Sequence, residues 1–373
     1  MHRFWAGISR HIDMNPFFEL VQTAIGARDA FTSIPRSREE WNDLLTVTGQ
    51  HNLLAITFPL IDKLHDEVEV PLGVYSKWAM VSEKVQQKNA SHKDACRHLH
   101  ERFLANGFRS CILKGQAAAA LYPNPELRQC GDIDIWVEGE RQKVVDFLRE
   151  RFPVKKVVYH HCDVQMLKGI STEVHFTPTW MNAPLRNRKL QRYFAQTAEA
   201  QFGHLDPALG FCVPSLRFDA VYMLIHIYRH FLDEGVGLRQ LLDYYYVLKA
   251  LSAEGRGTVQ IDLKELGLKG FSAGIMYVLK EVFDMDASLM LAEPDARLGG
   301  FLLEEILASG NFGRFDPRNA HAKGESIVGH SKRKLTRSLR FLSYFPGEVI
   351  AMPFFMTWQY FWRRRHGYLY KGR

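Results

Sequence analysis

Apolar positions along the chain change their spacing at several points. Up to residue 107 they recur at helical intervals. Trp41, Leu44 and Leu45 follow Ser37, with Glu39 and Glu40 between, as at a side-chain-capped helix start. The apolar run to Leu64 predicts a second helix or helix pair, and Pro71 and Gly73 then break the chain. A long helix is expected from about Tyr75 to Asn106, ended by Gly107. From Cys111 the period shortens to that of strands. Residues 111–113 form an apolar strand that runs through Lys114-Gly115 into an alanine-rich helix, which stops at Pro123. Residues 132–137 alternate, so Asp132 and Asp134 share one face while Ile133, Ile135 and Val137 share the other. Residues 140–151 read as an amphipathic crossover helix with Val144, Val145, Phe147 and Leu148 in its stripe. Strands are expected at 154–160, 163–167 and 170–176, the last two joined by a tight turn at Lys168-Gly169. Pro178 and Pro184 close this region, and the chain turns helical from about Asn187.

Chemistry concentrates in residues 111–137. Two carboxylates on one strand face, backed only by branched apolar residues, call for a bound dication. Mg²⁺ suits them because it prefers oxygen ligands and keeps water and phosphate oxygens in its shell. Two such ions about 4 Å apart can clamp both oxygens of an in-line phosphoryl displacement. Gly115 lets the backbone approach an anion, and the N–H groups at the start of the alanine-rich helix, beginning with Gln116, favour a phosphate. On the strand at 170–176, Glu173 and His175 share a face, which makes Glu173 the candidate third carboxylate. Together these features describe a site for a nucleoside triphosphate.

The run Leu113-Lys114-Gly115, then Leu121-Tyr122-Pro123, then Arg128 and Gly131-Asp132-Ile133-Asp134, resembles the uncharacterised nucleotidyltransferase family of the DNA polymerase β-like superfamily. The Lys-Gly form is also similar to the nucleotidyltransferase toxins of abortive-infection systems. The resemblance implies metal-dependent transfer of a nucleoside monophosphate, with a glycine motif at a helix start, an acid-x-acid strand and a third acid on a neighbouring strand. Many superfamily enzymes carry Gly-Ser or Gly-Gly where this chain has Gly115-Gln116. On this reading Asp132, Asp134 and Glu173 hold Mg²⁺, with Mn²⁺ as the alternative ion. Lys114 and Arg128 are cations near the phosphates, although Arg128 could instead pair with Asp132 or Asp134. His175 either contacts the acceptor or hydrogen-bonds within the sheet. Trp136 lies one pleat beyond the acids, placed to stack on a base or to close the strand end.

Farther on, His226 and His230 stand four apart on one helical face, and Arg239 and Asp243 have the spacing of an intrahelical pair. The named family has a similar His…His…Arg…Asp arrangement, read here as a wall of the site or as a helix-pair core. These residues also support a rival, a His/Asp-type phosphohydrolase using His226, His230, Asp233 and Asp243. That rival lacks an adjacent His-Asp pair and leaves the three strand acids without a role. A second rival is a degenerate domain that only binds nucleotide or a partner protein.

The 373 residues allow two or three domains, and the net charge of +7 with pI near 9.1 fits a phosphate-bearing partner. Five cysteines without C-x-x-C spacing read as free thiols, and the Met-His-Arg-Phe-Trp start does not read as a secretion signal, so a cytoplasmic location is expected. The basic run at 331–340 predicts a solvated helix face, with nucleic-acid or acidic-lipid contact as the lesser reading. The aromatic stretch at 341–362, interrupted by Pro346, Glu348 and Pro353, is poor material for a spanning helix and suits docking or a membrane-surface position beside Arg363-Arg364-Arg365. The expected architecture is α+β: a small mixed β-sheet nucleotidyltransferase core at 96–180, between helical regions at 1–95 and 181–325, with a basic, aromatic segment at 326–373. The acceptor, whether sugar, metabolite, protein or tRNA, is not specified by the sequence.

Overall fold

In the computed structural model, which describes residues 14–316, 318 and 327–369, four helices precede the sheet. They are α1 (Met14–Ala24), α2 (Arg38–Gln50), α3 (Leu54–His65) and α4 (Leu72–Ala105). The chain's first residues, and with them the reading of the Met-His-Arg-Phe-Trp start, lie outside the described residues. Ser37 caps α2 as expected, its hydroxyl accepting the Glu40 N–H at 3.2 Å while Glu40 reaches back to the Arg36 N–H at 2.7 Å. Helix α4 starts three residues before Tyr75 and ends where Gly107 takes a left-handed φ of +80°. At 34 residues it is roughly 50 Å long and passes without interruption through the expected boundary at 95/96. One buried stripe (Val85, Asn89, His92, Cys96, Leu99, Phe103) continues along the whole second half of the helix.

The sheet comprises β1 (Ser110–Leu113), β2 (Ile133–Val137), β3 (Val154–Val157), β4 (His161–Leu167) and β5 (Ile170–His175), in the order β1-β2-β5-β4-β3. Only the β2–β5 pair is parallel; α6 (Arg141–Arg151) and the β3–β4 hairpin carry the chain across. A five-residue helix, α5 (Gly115–Ala119), follows β1. The strand expected at 154–160 is shorter and β4 begins two residues earlier than anticipated, so the turn falls at 158–160.

Each face of the sheet has its own core. Ile112, Ile133, Ile135, Val137, Cys162, Val164 and Val174 pack against Cys96, Leu99 and Phe103 of α4 and Val144, Val145 and Leu148 of α6. On the opposite face, Leu113 and Trp136 join a core shared with α7 (Pro184–Phe202), α8 (Leu216–Asp233) and α9 (Leu238–Ala250). Trp136 is therefore a core residue, set among Phe194, Phe202 and Phe218, and not a platform for a base. That core also takes in α1 and α2, so the N-terminal and C-terminal helices are packed into one apolar interior. A short ribbon, β6 (Leu205–Asp206) with β7 (Phe211–Cys212), lies beside β1 and α4. All five cysteines are buried free thiols.

Helices α10 (Ala253–Glu265), α11 (Lys269–Phe283), α12 (Ala296–Ser309), α13 (Ile327–Leu339) and α14 (Pro346–Arg365) complete the chain. The expectation of a wholly solvated face at 331–340 needs correction. Arg337 is buried, donating to the Phe231 carbonyl at 2.8 Å, and Arg340 lies 3.7 Å from Glu305 and 3.8 Å from Asp316. Arg337 on the inner side of α13 and Arg340 just past its end lie near two buried acids, Glu305 and Asp316. The side chain of Lys332 is outside the described residues. Helix α14 contains Pro353 without breaking and docks through Glu348, which accepts the Asn182 N–H at 2.6 Å and the Ala183 N–H at 3.2 Å. Among the described residues no helix is long and apolar enough to cross a membrane.

Candidate active site

The acids meet because β2 and β5 are parallel neighbours. Asp134 is directly opposite Glu173, and Asp132 sits one pleat earlier on the same face as Asp134. One carboxylate oxygen from each of Asp132, Asp134 and Glu173 falls within a group of atoms all within 4.8 Å of one another. Asp134 is buried, and the other two are half-buried. Three hard oxygen donors at that spacing are chemically suited to a dication such as Mg²⁺.

Two cations of the chain partly neutralise this cluster. Lys114 Nζ lies 3.1 Å from Asp134 Oδ2 and 3.1 Å from His226 Nε2. His175 Nε2 lies 3.0 Å from Asp134 Oδ1 and 3.4 Å from Glu173 Oε2. Burial would raise the Asp134 pKa, but Lys114 and the His175 hydrogen bond outweigh it and hold the carboxyl below its ordinary value. Glu173 behaves likewise: burial raises it, and His175 and His161 bring it below the usual range. Burial would depress His175, yet the two carboxylates lift it to about 9. His226 goes the other way, well below its ordinary value through burial and the adjacent ammonium, so it accepts from Lys114 as a neutral ring.

Lys114 itself has φ +43° with ψ −141°, a sparsely populated region that costs a residue with a Cβ about 1–3 kcal/mol. Gly115 follows at φ +52°. Two successive residues at positive φ turn the chain from β1 into α5 and aim the Lys114 ammonium back at β2. An open pocket lies in front, its empty volume about 480 Å³ counting the mouth. Lys114, Gly115, Asp132 and Asp134 line it from the sheet side, and His226, Arg239 and Asp243 from α8 and α9.

Several expected pairings turn out differently. Arg128 does not pair with Asp132 or Asp134. Its Nε and Nη2 donate to both oxygens of Asp243 at 2.7 Å each, and Tyr122 donates its hydroxyl to the same carboxylate at 2.7 Å. Asp243 is consequently unavailable for an intrahelical pair with Arg239. Arg239 Nη1 donates instead to the Gln129 carbonyl at 2.7 Å, and its Nε is buried with no hydrogen-bond partner among the described residues. Burial and the neighbouring Arg128 lower the Arg239 pKa, so an anion in the pocket would relieve it. Gln116 points its amide away, into a hydrogen bond with Asn89 at 2.8 Å, which leaves only its backbone to face a phosphate. His230 stacks edgewise on His226, with centroids 4.3 Å apart, without lining the pocket. The phosphohydrolase arrangement is not assembled: Asp233 is paired with Arg229 at 2.6 Å and Asp243 with Arg128.

The N-terminal helices contribute more than sequence reading found. Asn89 Nδ2 donates to the carbonyls of Glu126 and Arg128, both at 2.6 Å, and His92 Nε2 meets the Gly131 carbonyl at 2.9 Å. These bonds fix the loop that delivers Asp132. The signal available was Asn89 and His92 at buried positions of the helical stripe, where Ser82 and His100 also stand. His161 and Asp163 were also missed. They lie on the acid face of β4 and would have appeared had the strand's alternation been followed two residues upstream of Asp163.

The protein is thus an α+β chain whose small mixed sheet presents an acidic cluster beside a strained Lys-Gly turn. Residues 37–284 match the family described as uncharacterised nucleotidyltransferase, and the chain belongs to that family. No curated protein matches it. A crystal structure of an antigenic nucleotidyltransferase-like protein from Paracoccidioides brasiliensis aligns over 55% of this chain and 95% of that one. The identity is 12% and the TM-score 0.32, a likeness too low to bear on the site.

Proposed function

We propose that the protein transfers a nucleoside monophosphate from a nucleoside triphosphate to a hydroxyl acceptor. The observation that carries this reading is the convergence of Asp132, Asp134 and Glu173 from two parallel strands. Those three residues would hold Mg²⁺ or Mn²⁺, which when bound offsets phosphate charge and lowers the pKa of a hydroxyl nucleophile. The chain's own groups bind and orient. The Lys114 ammonium and the Arg239 guanidinium face the pocket where the phosphates would lie, and Arg239 is the better anion partner because Arg128 is already neutralised by Asp243. Gly115 allows close approach of the triphosphate to the backbone. His175 positions the Asp134 and Glu173 carboxylates toward each other. A cytoplasmic location and division into a sheet core with flanking helical regions belong to the same reading.

A competing reading, nucleotide binding without transfer, draws on Lys114 and His175 already neutralising Asp134. Incubating the protein with radiolabelled triphosphates and Mg²⁺ separates the two. Consumption that stops in Asp132→Asn supports transfer. Saturable binding with no turnover in either protein leaves a binder.

A further inference from the structure

A second group of metal-ligating atoms lies beside the three acids. His161 on β4 is directly opposite His175 on β5, and Asp163 is opposite Glu173, so the four side chains form a two-by-two patch on one face of adjacent strands. One ligand atom each from His161, Glu173 and His175 fall within 4.8 Å of one another. Glu173 Oε2 is 3.4 Å from His175 Nε2 and 3.5 Å from His161 Nδ1.

Those two separations fit a tetrahedral ion. A tetrahedral ion with bonds of about 2.1 Å spaces its ligands by about 3.4 Å, whereas an octahedral Mg²⁺ with bonds of the same length spaces adjacent ligands by about 3.0 Å. Two imidazoles with one carboxylate also favour a first-row transition dication over Mg²⁺, whose preference is for oxygen alone. His161 is oriented as a ligating histidine should be. Its Nδ1 faces the cluster, while Nε2 is held by Asp163 Oδ1 at 2.9 Å, the carboxylate–histidine arrangement that fixes the ring in metal sites. His175 presents Nε2 to the cluster, 3.0 Å from Asp134 Oδ1, and an ion bound there takes the place of the proton on that nitrogen; its ring packs between those of His160 and His161, at centroid distances of 5.7 and 5.3 Å. The His160 Nε2 contact to His161 Nδ1 at 2.6 Å and the His175 Nε2 contact to Asp134 Oδ1 at 3.0 Å are the interactions an ion would displace.

We infer that His161, Glu173 and His175 form a binding site for a first-row transition dication, with Zn²⁺ geometry, in which Asp163 positions His161. Three protein ligands leave a coordination position open. The site shares Glu173 with the oxygen cluster but does not depend on nucleotidyl transfer.

The test is Co²⁺ titration of the full chain, stripped with a chelator and kept in millimolar Mg²⁺, followed by visible absorbance. The expected result is a saturable, intense tetrahedral band at one equivalent, retained in Asp132→Asn and lost in His161→Ala. Asp163→Asn should weaken Co²⁺ binding by about 10–100-fold and serves if the His161 variant fails to fold. A weak octahedral spectrum, a band abolished by Mg²⁺ or in Asp132→Asn, or unchanged affinity in Asp163→Asn would overturn the proposal. Thermal shift with Mg²⁺ and triphosphate, run in parallel, reads the transferase assignment separately: the Co²⁺ band can survive when nucleotide binding is absent, and the reverse.

Discussion

Replacing Asp243 by leucine removes one carboxylate that three donors share, while roughly keeping its volume. The wild-type carboxylate accepts Arg128 Nε and Nη2 and the Tyr122 hydroxyl, each at 2.7 Å, and all three side chains are buried. In Asp243→Leu the guanidinium stays inside without a counter-charge and the phenol loses its acceptor. Breaking a buried pair by deleting one partner costs about 3–5 kcal/mol, mostly because the surviving charge is left unsolvated. The stranded hydroxyl belongs to the same network, so its cost of about 1–3 kcal/mol does not simply add. A loss of about 3–5 kcal/mol is a large fraction of the 5–15 kcal/mol typical of folded domains. The double variant Arg128→Met/Asp243→Leu should recover most of it, since an apolar replacement of the whole pair is often near neutral. Urea denaturation of the two single variants and the double, followed by circular dichroism, gives the coupling directly. The argument fails if Asp243→Leu loses less than about 1 kcal/mol, or if the double variant is as unstable as the single ones.

Three other outcomes follow from the same geometry. Burial holds His51 neutral down to about 3, whereas the unfolded chain takes up its proton near 6.5, so its contribution is complete above 6.5 and is lost as pH falls toward 3. His51→Gln should therefore lose less stability between about pH 7 and pH 4 than the wild type, and equal losses in denaturation midpoints would refute this. An added Cβ at Gly115 meets nothing within 4 Å, but φ +52° should make Gly115→Ala less stable by about 1–2 kcal/mol; an unchanged melting temperature would show that the turn is not left-handed in solution. Glu348→Ala strips the Asn182 and Ala183 N–H groups of their acceptor, at about 1–3 kcal/mol, and should speed hydrogen exchange in α14 ahead of the sheet. Uniform exchange across both would argue that α14 is held by its other contacts.

Sequence and tertiary structure divided the information along physical lines. Alternation along 132–137 and 170–176 is a local property of the pleat, so the shared face of Asp132 with Asp134 and that of Glu173 with His175 were legible by counting. The Lys-Gly turn, the capped start of α2 and the end of α4 at Gly107 were legible for the same reason, because caps and left-handed turns depend on a few adjacent residues. Charge pairing was not. Arg128 and Asp243 are 115 residues apart, and only the packing of α9 over the loop before β2 decides that they meet, against the equally plausible spacing of Arg239 with Asp243. The same holds for Lys114 with His226, 112 residues away, and for the antiparallel register that sets His161 against His175. The sequence by itself therefore determined which side chains share an element and a face. Which charges neutralise one another, and so which cation is left to face the pocket, was decided by long-range packing.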